Sequence, residues 1–153
     1  MDRAIGIDPG KNGGVAWLSV LGAQPPQAIK MPGTEIELYH LLREIAAEVS
    51  VFVVLEKVHS SPQMGVKSAF TFGMNKGGLR MALAAVAAPY EEVSPMKWQG
   101  AMGCRTAGDK NVSKQRAQSL FPSIKVTHAT ADALLLAEYC RRTFGGACDA
   151  TAI

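Results

Sequence analysis

Asp8 closes the apolar run AIGID, Glu56 follows five apolar residues in VFVVLE, and His128 and Asp132 stand four positions apart in THATADALLLAEY. A carboxylate beside so much apolar chain is costly to bury without a partner. In a helix, residues four apart lie one above the other, so His128 and Asp132 project from one side and point at one spot. Active sites in layered folds gather at strand ends, and two strand-end acids with such a helical pair could meet there. Three carboxylates brought together repel, and a divalent cation is the natural relief. Their oxygens suit Mg2+ and Mn2+, and the imidazole is compatible with Mn2+ and with a second, less tightly held ion. Two such ions activate a water and steady the leaving oxygen of an in-line phosphoryl transfer, so phosphodiester hydrolysis is the expected chemistry. His128 has an alternative role as general base. Each residue also has a plainer reading: Asp8 before Pro9 and Gly10 as a turn former, His128 as a helix-start residue, and Asp132 as a buried structural acid.

The elements that must position these residues follow from the pattern around them. RAIGIDPG alternates and ends in turn residues, which predicts a strand stopping near Asp8. GGVAWLSV returns as the second arm of a hairpin, and a short third strand is expected around QAIKMP. Thr34 caps a helix whose apolar positions Ile36, Leu38, Leu41, Leu42 and Ile45 recur at helical spacing. VSVFVVLEKV is the β-branched run of a central strand covered on both faces, with Glu56 at its end. A long helix is expected from about Val66, PYEEV as a fifth strand, and a helix after Ser94 and Pro95. A loop around CRTAGD then leads to a helix from roughly Asn111 to Leu120, and Thr127 caps a last helix running to about Phe144. Strands alternating with helices after an opening hairpin argue for an α/β fold with a mixed sheet flanked by helices.

At 153 residues, 48% of them hydrophobic, the chain suits one domain over 1–153 with a real core. No apolar run approaches the roughly 20 residues that span a bilayer, so a soluble, intracellular protein without a membrane partner is expected. Cys104, Cys140 and Cys148 lack metal-site spacing and form an odd set, which favours buried or incidental thiols. The net charge of +3 is unevenly spread: from Lys57 to Lys125 there are ten Lys and Arg against three acids, elsewhere six against ten. Such asymmetry suggests a basic surface for a polyanion. His40 and His59 have no assigned role, and Trp17 and Trp98 are expected to be packing residues.

IGIDPGKNGGVAWL, VVLEKV and HATADALLLAEYCRR resemble, in order and spacing, the acidic motifs of the RuvC-like Holliday-junction resolvases of the ribonuclease H-like superfamily. The likeness covers nearly the whole chain. It is greatest to the chloroplast-type and phage-type branch, whose last motif has a histidine four residues before an acid, as His128 and Asp132 are here. The bacterial housekeeping form more often has an acid or histidine three residues before the final aspartate, where this chain has Ala129. The resemblance implies a ribonuclease H-like five-stranded sheet, with an opening hairpin and then parallel strands. It also implies a homodimer that nicks opposed strands of a four-way DNA junction, with Mg2+ or Mn2+, two ions per site, on Asp8, Glu56, His128 and Asp132. Lys110 takes the place of the family's lysine that approaches the scissile phosphate. SSPQMGVKSAFTFGMNKGGLRMALAA is similar to the segment leading into the helix of dimer and junction contact, with Phe70 or Phe72 placed to stack on an unpaired base. Lys67, Lys76, Arg80, Lys97, Arg105, Lys114 and Arg116 would then be phosphate contacts.

Three rivals remain in the sequence. GIDPGKNGG also resembles the phosphate-binding hairpin of actin-like ATPases and sugar kinases, but those need a second subdomain for which this chain has no room. A related nuclease acting on flaps, other branched DNA or structured RNA, including a RuvX-like protein, fits the same acids. A catalytically silent junction-binding module is disfavoured by the intact acidic set.

Overall fold

The computed structural model describes residues 1–148. β1 (Arg3–Asp8) and β2 (Gly14–Ser19) form the opening antiparallel hairpin, and β3 (Gln27–Lys30) adds to its outer edge. The chain then crosses through α1 (Glu35–Ile45) to β4 (Val51–Glu56), which pairs parallel with β1, and through α2 (Val66–Ala85) to β5 (Tyr90–Val93), parallel to β4. The strand order is β3-β2-β1-β4-β5, so the expected five-stranded mixed sheet is present. α3 (Pro95–Met102), α4 (Lys110–Leu120) and α5 (His128–Phe144) follow, and a 3-10 turn occupies 145–148.

Local chemistry explains the helix starts. The Thr34 hydroxyl accepts from Glu37 N while the Glu37 carboxylate accepts from Thr34 N, a reciprocal capping box that fixes α1. Asp109 accepts from Asn111 N at 2.9 Å, and this cap makes Lys110 the first residue of α4, one position earlier than the sequence suggests. Thr127 and Thr130 cap α5 in the same reciprocal manner.

Two apolar layers sandwich the sheet. Ala4 and Val54 face a cluster with Trp98, Ala117 and the α5 residues Ala133, Leu134 and Ala137. Ile5, Ile7, Val53 and Leu55 face the opposite cluster with Leu38, Leu42, Leu79 and Leu83 of α1 and α2. β1 is therefore buried on both faces from Ala4 to Ile7, and its alternation is not one of core against water. Cys104 and Cys140 are buried free thiols; the side chain of Cys148 lies outside the described residues. Among the described residues no helix is long and apolar enough to cross a membrane.

Candidate active site

The parallel pairing of β1 with β4 sets Ile7 opposite Leu55, which puts Asp8 and Glu56 side by side at one end of the sheet. Because alternate residues point to opposite faces, Asp8 shares the side of Ala4 and Gly6, and Glu56 that of Val54. That is the face covered by α5.

α5 lies unusually close to this face. A Cβ on Gly6 would come within 2.2 Å of Ala133 O and 2.1 Å of Ala137 N, and one on Gly14 within 2.5 Å of Ala129 O. Glycine at these two strand positions lets the helix backbone rest directly on the hairpin, and Asp132 is thereby lowered beside Asp8. The three carboxylates feel one another. Asp8 is pushed up to about 7, first by burial, then by the charges of Glu56 and Asp132, against a smaller pull down from Lys110. Glu56 is raised above the usual glutamate value by burial, with Asp132 adding to the rise and Trp98 and Lys110 opposing it. Lys110, exposed at the first position of α4, is the cation of this acidic edge.

Trp98 was expected only to pack. It is fully buried in the α5-side core, but its Nε1–H donates to Glu56 Oε2 at 2.9 Å. A tryptophan two residues after Met96 in a short helix carries no sequence signal of such a bond; only the approach of α3 to β4 creates it. Asp132 Oδ1 is buried and has no hydrogen-bond partner. An orphaned, buried carboxylate oxygen within electrostatic reach of two other acids is what a cation-binding position leaves open. Cys104 lies close enough for the Asp132 charge to act on it, yet burial first, then that charge, push its thiol up to about 11. It stays protonated and is a poor ligand.

The oxygen donors fit a hard divalent cation by type. Among the described residues, no three His, Cys, Asp or Glu side chains already stand in a geometry that encloses an ion. His128 is exposed at the first position of α5, one turn before Asp132.

The basic candidates divide by whether they are occupied. Lys76 contacts Glu92 at 3.0 Å and Val58 O at 3.4 Å, while Arg80 reaches Glu92 and donates to the Tyr90 hydroxyl. Lys97 pairs with Glu91 at 3.4 Å, and Arg116 donates to Met102 O at 2.9 Å, tying α4 to α3. Arg105 lies against Gly100. Lys67 is exposed and Lys114 half-buried; neither has a hydrogen bond or ion pair among the described residues. Phe70 is 69% exposed on α2, whereas Phe72 is half-buried.

Two solved structures of a bacterial protein have this architecture. A Thermus thermophilus RuvC structure superposes with a TM-score of 0.63 at 18% identity, over 90% of this chain and 92% of that one. T. thermophilus RuvC in complex with a Holliday junction substrate superposes with a TM-score of 0.63 at 19% identity, over 91% and 92%. The fold is RuvC-like. At this identity the likeness is one of fold, and it extends along nearly the whole RuvC chain. No protein-family model matches the sequence, and no curated protein matches it significantly. In this RuvC-like fold the acidic edge is made by the ends of β1 and β4 and the second turn of α5.

Proposed function

We propose that the protein, acting as a single nuclease domain over 1–153, is a metal-dependent endodeoxyribonuclease that resolves four-way junctions by paired, symmetric nicks. The observation that carries this reading is the meeting of Asp8, Glu56 and Asp132, with Asp132 Oδ1 buried and unpaired, on a RuvC-like fold. That one RuvC structure is of a complex with a Holliday junction substrate supports the choice of DNA.

Asp8, Glu56 and Asp132, with His128 one turn away, would hold Mg2+ or Mn2+, two ions per site. Bound there, the ions supply a water of lowered pKa and neutralise charge on the transferring phosphate. The chain's own residues prepare for that. Trp98 commits one oxygen of Glu56 and leaves the other uncommitted. Asp132 presents an acceptor with no competing donor. Lys110 stands at the N-terminus of α4, where its charge and the helix dipole together favour a phosphate. His128, exposed at the rim, is placed to be a ligand or to hold a proton from the attacking water.

Lys67, Arg105 and Lys114 are the readiest phosphate contacts. Lys76, Arg80, Lys97 and Arg116 would have to exchange their present partners for phosphates. Phe70, near the start of α2, offers its ring to an unpaired base. Farther along α2, Met74, Gly77 and Met81 form an exposed stripe at helical spacing that suits a second copy of the chain. A twofold dimer gives one site to each of two equivalent strands.

Nicking assays on a mobile four-way junction, a flap and structured RNA, with Mg2+ and Mn2+, test the reading. Asp8→Asn, Glu56→Gln and Asp132→Asn each remove several kcal/mol of metal-dependent stabilisation and should slow cutting by about 10³-fold or more. Junction binding should persist, because the basic surface is untouched. Cutting by these variants at the wild-type rate would overturn the site. Faster cutting of the flap or the RNA would overturn the substrate.

A further inference from the structure

A cavity of about 290 Å3 opens on the α1–α2 side of the sheet, at the same end as the carboxylates. Met31, Leu38 and Leu79 make an apolar floor; Lys11, Lys30 and Asn75 stand around it. Among the described residues neither lysine nor the asparagine makes a side-chain hydrogen bond or ion pair. Lys76, Lys97, Arg141 and Arg142 are matched to acids, whereas these two lysines, like Lys67 and Lys114, are not. Two exposed, unmatched ammonium groups and a free amide around an apolar floor match the profile of a nucleotide. Such a ligand has a flat apolar base, a hydrogen-bonding edge and an anionic phosphate. Glu35 also lines the cavity, its stem against Gly78 of α2. Its carboxylate disfavours an anion in the interior but can accept from a base amino group, which leaves the phosphate to the lysines. The volume is at the small end of ligand sites, enough for one nucleotide and too little for a duplex. Gly10, on its wall, is two residues past Asp8, no more than about 7 Å along the backbone, and the cavity and the Asp8 carboxylate lie on opposite faces of this end of the sheet.

We propose that this cavity receives one unpaired nucleotide of the DNA strand, adjacent to the one that lies at Asp8, and so gives the protein a preference for the base near the cut. The inference rests on the junction-nuclease reading.

Binding without cutting tests it, using the full chain in EDTA. The probes are an immobile four-way junction and a series of the same junction, each member with one abasic site near the branch point and every phosphate retained. The wild type should lose about tenfold in affinity at one abasic position per cut strand, as expected for one base contact. Asn75→Trp fills the cavity without changing charge, and should bind the intact junction about tenfold more weakly and be indifferent to that abasic site. Lys11→Gln and Lys30→Gln should each lower the salt slope of binding by about one. Equal binding of every abasic junction by the wild type overturns the inference and leaves the nuclease reading standing. Undiminished abasic sensitivity in a folded Asn75→Trp overturns it as well. Free dAMP or dTMP binding at micromolar concentration, with no abasic effect, would assign a small-molecule site in place of a strand contact. Failure of the wild type to bind any junction would remove both readings.

Discussion

At Glu56 a single hydrogen bond decides which carboxylate oxygen is free. Trp98→Phe keeps the buried ring and removes only the donor, and hydrogen bonds to charged groups contribute about 1.5–3 kcal/mol. On the proposed metal-dependent reading, nicking by this variant should fall about 10–100-fold at low Mg2+ and recover at saturating Mg2+. An Mg2+ titration of nicking, with a thermal melt to show that the fold persists, reads this; a wild-type Mg2+ dependence would reduce Trp98 to packing. Asp8 carries a cost of the opposite kind. Its folded value of about 7 lies above the ordinary aspartate value, so the folded state holds a proton that the unfolded chain releases. Stability of the metal-free protein is therefore undiminished at low pH and falls as pH rises toward 7. Asp8→Asn should melt a few degrees higher than wild type at pH 8, with the gap closing toward pH 4. Melting curves across that range in EDTA give the answer, and a gap that is constant or reversed contradicts it.

The element that matters most is α5, because its distance from β1 sets where Asp132 sits. Gly6→Ala forces a methyl group into the helix backbone at Ala133 and Ala137. Backbone cannot swing aside as a side chain does, so the cost should exceed about 3 kcal/mol, a fall of roughly 6–12 °C in melting temperature for a chain of this size. Differential scanning calorimetry measures it, and a fall below about 2 °C would mean that α5 is not held as closely as described. The start of α4 matters for a similar reason. The Asp109 cap sets Lys110, and not Asn111, in the first position, beside the acids.

At the scale of the whole molecule, α2 carries an exposed stripe of Met74, Gly77 and Met81 along one face. Met81 is 66% exposed, and Gly77 has nothing within reach of a Cβ. If the protein forms the proposed dimer through this stripe, Met81→Glu puts a charge in it and should turn dimer into monomer in sedimentation equilibrium, with the proposed paired nicking reduced to single nicks. A variant that remains dimeric would place the interface elsewhere.

Sequence alone was sufficient for the elements and their order. Apolar periodicity, the Thr34 and Thr127 caps, and the β-branched run before Glu56 are local signals, and local signals act through backbone geometry over a few residues. The same signals pointed to Asp8, Glu56 and Asp132, since an acid at the end of a buried run stands out wherever the chain goes. Tertiary structure decided the rest. Trp98 acts on a residue 42 positions away, Lys76 and Lys97 are taken up by glutamates of β5, and the cavity behind Gly10 needs α1, α2 and the hairpin together. Each of these depends on which faces of separate elements are pressed together, and packing between distant segments leaves no spacing to read along the chain.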